Sequence, residues 1–185
     1  MSDRDLDWTF ETEFAGALET VPDEHRDPER FVPGRGPLSA DVVLVGEAPG
    51  KQEVAQGEPF VGQAGAQLDR ALETIDHDRG DLYITNLVKV RPPENRDPHV
   101  AEIEGWWPVL EAEIDRVDPA VLVPLGSFAA RQILDTDETI TDLHGREIER
   151  EGRLVVPSFH PAAALYDRSK VEVIETDLAA AFDRA

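Results

Sequence analysis

Four short stretches carry the residues that could do chemistry, and each sets one reactive or recognising side chain among glycines or prolines. "GEAPG" (46–50) places Glu47 and Ala48 between Gly46 and Gly50. Glycines there let backbone N–H groups approach a ligand or a water closely, with Glu47 as a polar group at the mouth. "GEPFVGQAG" (57–65) holds Phe60 between Gly57 and Gly62, where its ring could lie flat against a planar ligand, as stacking on a base requires. "YITNLVKVRPPENRDP" (83–98) carries Asn86, whose amide offers a donor and an acceptor together and so can read the edge of a nucleobase. Lys89, Arg91 and Arg96 follow it, a basic patch suited to phosphate. "VPSFHPAAALYDRSK" (156–170) sets His160 directly before Pro161, where it could donate a hydrogen bond to an oxyanion developing in a transition state. Leu165 and Tyr166 come next as an apolar wedge, with Arg168 and Lys170 behind them as phosphate anchors.

Each stretch alone also fits a plainer role: a strand-to-loop turn, a core plug, a turn-stabilising amide, a solvated basic loop, a histidine capping a loop. Other chemistries find no motif. "GEAPG" lacks the spacing of a P-loop or of a dinucleotide fold, and no G-x-S-x-G elbow occurs. The five histidines are scattered without an H-x-x-x-H pair, so no metal constellation stands out.

The elements that must position these residues alternate between strand and helix patterns. "DVVLVG" (41–46), "DLYITNLV" (81–88) and "AVLVPLG" (120–126) read as buried strands. "AGAQLDRALETI" (64–75), "PHVAEIEGWWPVLEAEIDRV" (98–117, bent at Pro108), "SFAARQIL" (127–134) and "KVEVIETDLAAAFDRA" (170–185) read as helices. "REIEREGRLVVPSF" (146–159) reads as a β-hairpin turning at Glu151-Gly152, and its second arm delivers the last strand end. Alternation of this kind predicts a parallel sheet sandwiched between helices, with ligands beyond the carboxyl ends of the strands. Gly46-Glu47, Asn86, Gly126-Ser127 and Ser158-Phe159-His160 would then converge on one cleft.

The 185 residues fit one domain, 1–185, whose first forty residues form an acidic segment with one short helix, "FETEFAGALETV" (10–21), and an irregular stretch. No apolar run approaches the ~20 residues of a membrane span, and the acidic residues 1–30 do not read as a secretory leader; the expected compartment is the cytoplasm. With no cysteine, disulfides and thiolate chemistry are excluded. Net charge is −21, with fifteen arginines and three lysines. That balance repels nucleic acid at ordinary salt. It suits a cytoplasm of molar salt, where the screening length falls to ~3 Å, so a halophilic source is expected.

In this order the four stretches resemble the uracil-DNA glycosylase superfamily, nearest to its family-4 type, over residues 40–166. The resemblance implies a three-layer α/β/α sandwich around a four-stranded parallel sheet. It also implies a hydrolase that removes uracil from DNA in base-excision repair; with no lysine but Lys89 at the strand-end motifs a monofunctional enzyme is expected, and a monomer is the simpler reading. Phe60 would stack on the flipped base and Asn86 would bond its Watson–Crick edge at the Gly46 corner. His160 would stabilise charge on uracil O2, and the Glu47-Ala48 backbone would hold the hydrolytic water. Leu165 would fill the emptied base stack, and Lys89, Arg91, Arg96 and Arg168 would contact the DNA. Flipping costs a few kcal/mol, least in single-stranded or mismatched DNA. Ala48 stands where the best-known branch has aspartate, so leaving-group stabilisation would carry most of the chemistry, with Glu47 or Glu53 assisting. No replication-clamp partner is identifiable. Two other readings use the same fold: a catalytically idle binding module, and a hydrolase of free nucleosides.

Family-4 relatives hold a four-iron cluster on four cysteines. Here the third of those positions is Val90 and the fourth Trp106, and the N-terminal segment offers no thiol. No cofactor or metal is therefore expected, and apolar packing would replace the metal's clamp. The purified protein should be colourless and fold without metal; a brown preparation with a cluster-like absorbance band would contradict this.

Overall fold

The computed structural model describes residues 8–185, so residues 1–7 of the expected single domain lie outside the described residues. In chain order the elements are α1 (Phe10–Glu13), α2 (Ala15–Glu19), β1 (Val42–Gly46), α3 (Lys51–Gln56), α4 (Gly62–Thr74) and β2 (Leu82–Asn86). They continue with α5 (Val100–Val117), β3 (Val121–Pro124), α6 (Gly126–Leu134), α7 (Ile140–Leu143), β4 (Ile148–Arg150), β5 (Arg153–Val155), α8 (Ala163–Tyr166) and α9 (Lys170–Phe182).

The sheet runs β2-β1-β3-β5-β4. β2, β1, β3 and β5 are mutually parallel, and β4 closes the edge antiparallel to β5. The expected four-stranded parallel sheet is thus present with one strand added. The first arm of the predicted hairpin joins the sheet because the turn Glu151-Gly152 takes left-handed φ values of 53° and 78°, as the tightest hairpin turns require.

Two separate cores follow from the alternation of side chains along a strand. Val43 and Val45 of β1 face one core with Phe10, Phe14, Trp106, Leu110, Ala130 and Leu143. Val42 and Leu44 face the other, with Leu68 and Leu72 of α4 and Ile174 and Leu178 of α9. Helices therefore cover both faces, and the molecule is the three-layer sandwich that unbroken apolar runs such as "VVLV" demand.

Two helical readings are refined. The first helical pattern is split at Phe14, where φ is −111° and ψ 23°; the bend lets Phe10 and Phe14 bury their rings together, centroids 4.8 Å apart. α5 continues through Pro108 as one element. β1 sits between β2 and β3, so the chain leaves it in one direction and returns on the other side. That reversal opens the ligand crevice of doubly wound sheets at the carboxyl end of β1.

Candidate active site

Gly46, the last residue of β1, lies opposite Asn86, the last of β2. A Cβ on Gly46 would fall 2.4 Å from Asn86 Oδ1 and 2.6 Å from Phe60 Cε2, so only glycine leaves room for that amide and that ring at the strand end. The Phe60 ring in turn lies 5.2 Å, centroid to centroid, from the His160 ring at a tilt of 33°. Four residues distant in sequence therefore meet at one corner beyond the sheet.

Phe60 holds this place at a local cost. Its φ is 52°, a left-handed conformation that a bulky residue adopts at about 1–3 kcal/mol. Two features hold it there. The Arg79 guanidinium donates to the carbonyl of Phe60 and, at 3.1 Å, to that of Pro59, while its Nε is anchored on Asp69 at 2.5 Å. Gly65 supplies the second: a Cβ there would lie 2.0 Å from the Phe60 carbonyl oxygen, so the turn can close only against glycine.

His160 is set by its own loop. The Ala162 amide donates to His160 Nδ1 at 3.1 Å, which leaves the proton of the neutral ring on Nε2. Burial pulls its pKa from 6.5 down to about 4, so the imidazole is neutral at pH 7. The folded pKa is the lower one, so this group's contribution to stability is complete above pH 6.5 and is lost as pH falls toward 4. Gly126, at φ 89°, begins α6 against the same segment, with its N–H on the Ser158 carbonyl at 2.8 Å.

Glu47 is half-buried. Its carboxyl is pushed up to about 7, by burial first and then by the hydrogen bond and negative charge of Asp97. Near neutral pH it therefore divides between its acid and carboxylate forms. The backbone beside it is pinned: Leu87 N–H donates to the Gly46 carbonyl at 2.9 Å and Val88 N–H to that of Glu47 at 3.3 Å. Ala48 is half-buried and leans on the core.

The basic residues divide. The expectation that Lys89 contacts DNA is corrected: its side chain is fully buried, with the ammonium 2.6 Å from Glu113 Oε2 and donating to the Asn86 carbonyl at 2.5 Å. The Tyr83 hydroxyl donates to the other Glu113 oxygen at 2.9 Å. Burial lowers the lysine pKa and raises that of the glutamate, each opposed by the other's charge. An ion pair in this position props the Asn86 backbone from beneath. Arg96 forks onto Glu102 at 2.7 and 3.0 Å, and Arg91 sits with it in the loop between β2 and α5. Leu165 is 38% exposed and Tyr166 90% exposed on α8, with Arg168 exposed just beyond.

Sequence reasoning missed Arg79, Gly65 and Asp97. Nothing local in "DHDRGD" (76–81) signals that Arg79 reaches back to Phe60.

The residues present do not fit an iron–sulfur cluster. The chain has no cysteine, and among the described residues no group of three or more His, Asp and Glu could hold a metal. Trp106 is buried at 2% exposure, stacks on Phe31 with centroids 6.0 Å apart, and donates its indole N–H to the His25 carbonyl at 3.3 Å.

A chain with these strand ends on this sheet has known counterparts. The model of the Uracil DNA glycosylase superfamily matches residues 33–183. A Type-4 uracil-DNA glycosylase of Archaeoglobus fulgidus is 42% identical over 163 residues, 84% of this chain and 82% of that one. One from Thermotoga maritima is 40% identical over 147 residues, 78% of this chain and 77% of that one. A Type-5 uracil-DNA glycosylase of Pyrobaculum aerophilum is 34% identical over 150 residues, 72% of this chain and 66% of that one. The chain belongs to the uracil-DNA glycosylase superfamily, and its likeness to the Type-4 members extends over most of its length.

Lys89→Met should cost about 3–5 kcal/mol in denaturant unfolding, because it strands a buried glutamate. The double change Lys89→Met with Glu113→Leu should recover most of that loss. A single variant as stable as the parent would contradict the buried pair.

Proposed function

We propose that this protein hydrolyses the N-glycosidic bond of uracil in DNA, in base-excision repair, without a lyase step. One observation carries the reading: an aromatic ring, a carboxamide and a neutral imidazole meet around a glycine that has no room for a side chain.

Phe60 stacks on the extruded base, whose removal from the helix costs a few kcal/mol. The Asn86 amide matches the N3–H and O4 of uracil, whereas cytosine presents the inverted pattern. As the bond from the sugar C1′ to N1 breaks, its electron pair moves onto the base and collects at O2. His160 donates its Nε2–H to that oxygen; the neutral donor needs no proton from solvent to act. The sugar, left as an oxocarbenium-like cation, takes the oxygen of a water held beside the Glu47-Ala48 backbone. The carboxylate form of Glu47 accepts the water's proton, a role suited to a group poised near neutrality.

Leu165 and Tyr166 occupy the gap left in the base stack, and Arg91, Arg96 and Arg168 meet the backbone. The whole chain is taken as a single domain acting as a monomer on uracil-containing DNA. The −21 charge supports work in the cytoplasm of a salt-loving cell. Among the described residues, no helix is long and apolar enough to cross a membrane.

A labelled uracil-containing oligonucleotide, incubated with the folded protein in molar KCl, should yield an abasic product; intact substrate, single- and double-stranded, would refute the reading. His160→Ala and Asn86→Ala should each lower kcat/KM by about 100-fold or more, and an unchanged rate in either would remove its role. The pH profile of kcat/KM should rise through about 7 as Glu47 loses its proton. Glu47→Gln should flatten that inflection, and a profile that keeps it would assign the ionisation elsewhere.

A further inference from the structure

Val88, whose amide holds the Glu47 carbonyl, also lines a cavity of about 380 Å³ together with Arg26, Arg30, Arg91, Arg96, His25 and Trp106. It gathers four guanidiniums in a chain of net charge −21. We propose that this cavity is a second binding site that takes a backbone phosphodiester of DNA, built jointly by the irregular N-terminal segment and the loop after β2. The inference rests on the reading of the chain as a DNA-acting enzyme.

Two arginines carry the argument. Residues 30–32 and 89–91 pair antiparallel through the Phe31–Val90 bridge, with the Arg91 N–H on the Arg30 carbonyl at 3.1 Å and the Val32 N–H on the Lys89 carbonyl at 2.7 Å. This register sets Arg30 opposite Arg91. Like charges placed directly opposite are unfavourable, and among the described residues neither has a carboxylate within salt-bridge distance. Arg79, Arg96, Arg116, Arg146 and Arg153 all do, whereas Arg35, Arg70, Arg131 and Arg168, none of which lines this cavity, also lack one among the described residues. Arg30 donates one N–H to the Pro92 carbonyl at 2.6 Å, and the Arg91 Nε is buried with no hydrogen-bond partner. A planar guanidinium with donors to spare matches phosphate oxygens.

Of the three acids lining the cavity, one is paired with an arginine. Glu102 is held by the Arg96 fork, Glu24 lies 3.6 Å from His25, and Asp27 accepts from the Glu29 amide at 3.1 Å. An anion would relieve the repulsion between Arg30 and Arg91 and satisfy the orphan Nε. DNA is favoured over a free anion by position. Val88 lines the cavity while its amide holds the Glu47 carbonyl, and Arg96 precedes the Asp97 that bonds the Glu47 side chain. The same backbone pairing thus borders both the Glu47 strand end and this cavity.

The test uses uracil-free single-stranded DNA as probe, so it does not depend on catalysis; the excision assay judges the glycosylase reading separately. Binding is followed through the indole N–H resonance of Trp106 over the salt range in which the protein stays folded. DNA should shift that resonance. Arg30→Gln and Arg91→Gln should each weaken binding about tenfold and lower the slope of log K against log salt by about one. Arg91→Lys, which keeps the charge, should retain the slope, and thermal unfolding of each variant verifies its fold. The proposal fails if DNA leaves the indole unmoved, if the folded glutamine variants keep parental affinity and slope, or if inorganic phosphate or chloride shifts the indole as strongly as DNA at equal concentration.

Discussion

The absent side chain of Gly46 is the constraint on which the site depends. With β1 ending beside β2 and no Cβ in the way, the Phe60 ring and the Asn86 amide occupy space that any other residue would claim. The rest of the local structure serves that meeting. Arg79 and Gly65 hold a strained Phe60 turn, and a buried lysine–glutamate pair props the Asn86 carbonyl. The Ala162 amide fixes the tautomer of His160. Rigid supports of this sort are what a recognition site needs, because geometry within about 0.5 Å decides whether donors meet the atoms that develop charge.

Much of this was legible from the sequence because its signals are local. Apolar runs bounded by glycine gave β1 and β3, and the Glu151-Gly152 turn placed the hairpin. The four polar or glycine-bearing strand ends announced a shared address. What escaped depends on partners distant in the chain. Lys89 looked like part of a phosphate-binding basic patch because Glu113, which neutralises it, is contributed by α5. Arg79 went unread because its carbonyl partners lie 19 and 20 positions earlier. The hairpin's first arm was legible, but not that it would join the sheet as a fifth strand: β4 has three residues, too few for periodicity to assign it to a sheet edge.

The aromatic pair Phe31 and Trp106 shows how the fold manages without cysteines. Its stacking, and the indole hydrogen bond to the His25 carbonyl, tie the N-terminal segment to α5 by burial. Burying one such side chain stabilises by a few kcal/mol, and the interaction is indifferent to redox state. The same tie brings Arg26 and Arg30 beside the loop after β2, so packing and charge there have one origin.

Nitrogen NMR of His160, recorded at neutral pH with and without free uracil, addresses the central claim most directly. The account predicts a neutral ring protonated on Nε2, with that nitrogen and the Asn86 side-chain amide both shifting when uracil is added. An imidazolium, a ring protonated on Nδ1, or a uracil titration that moves neither group would contradict it.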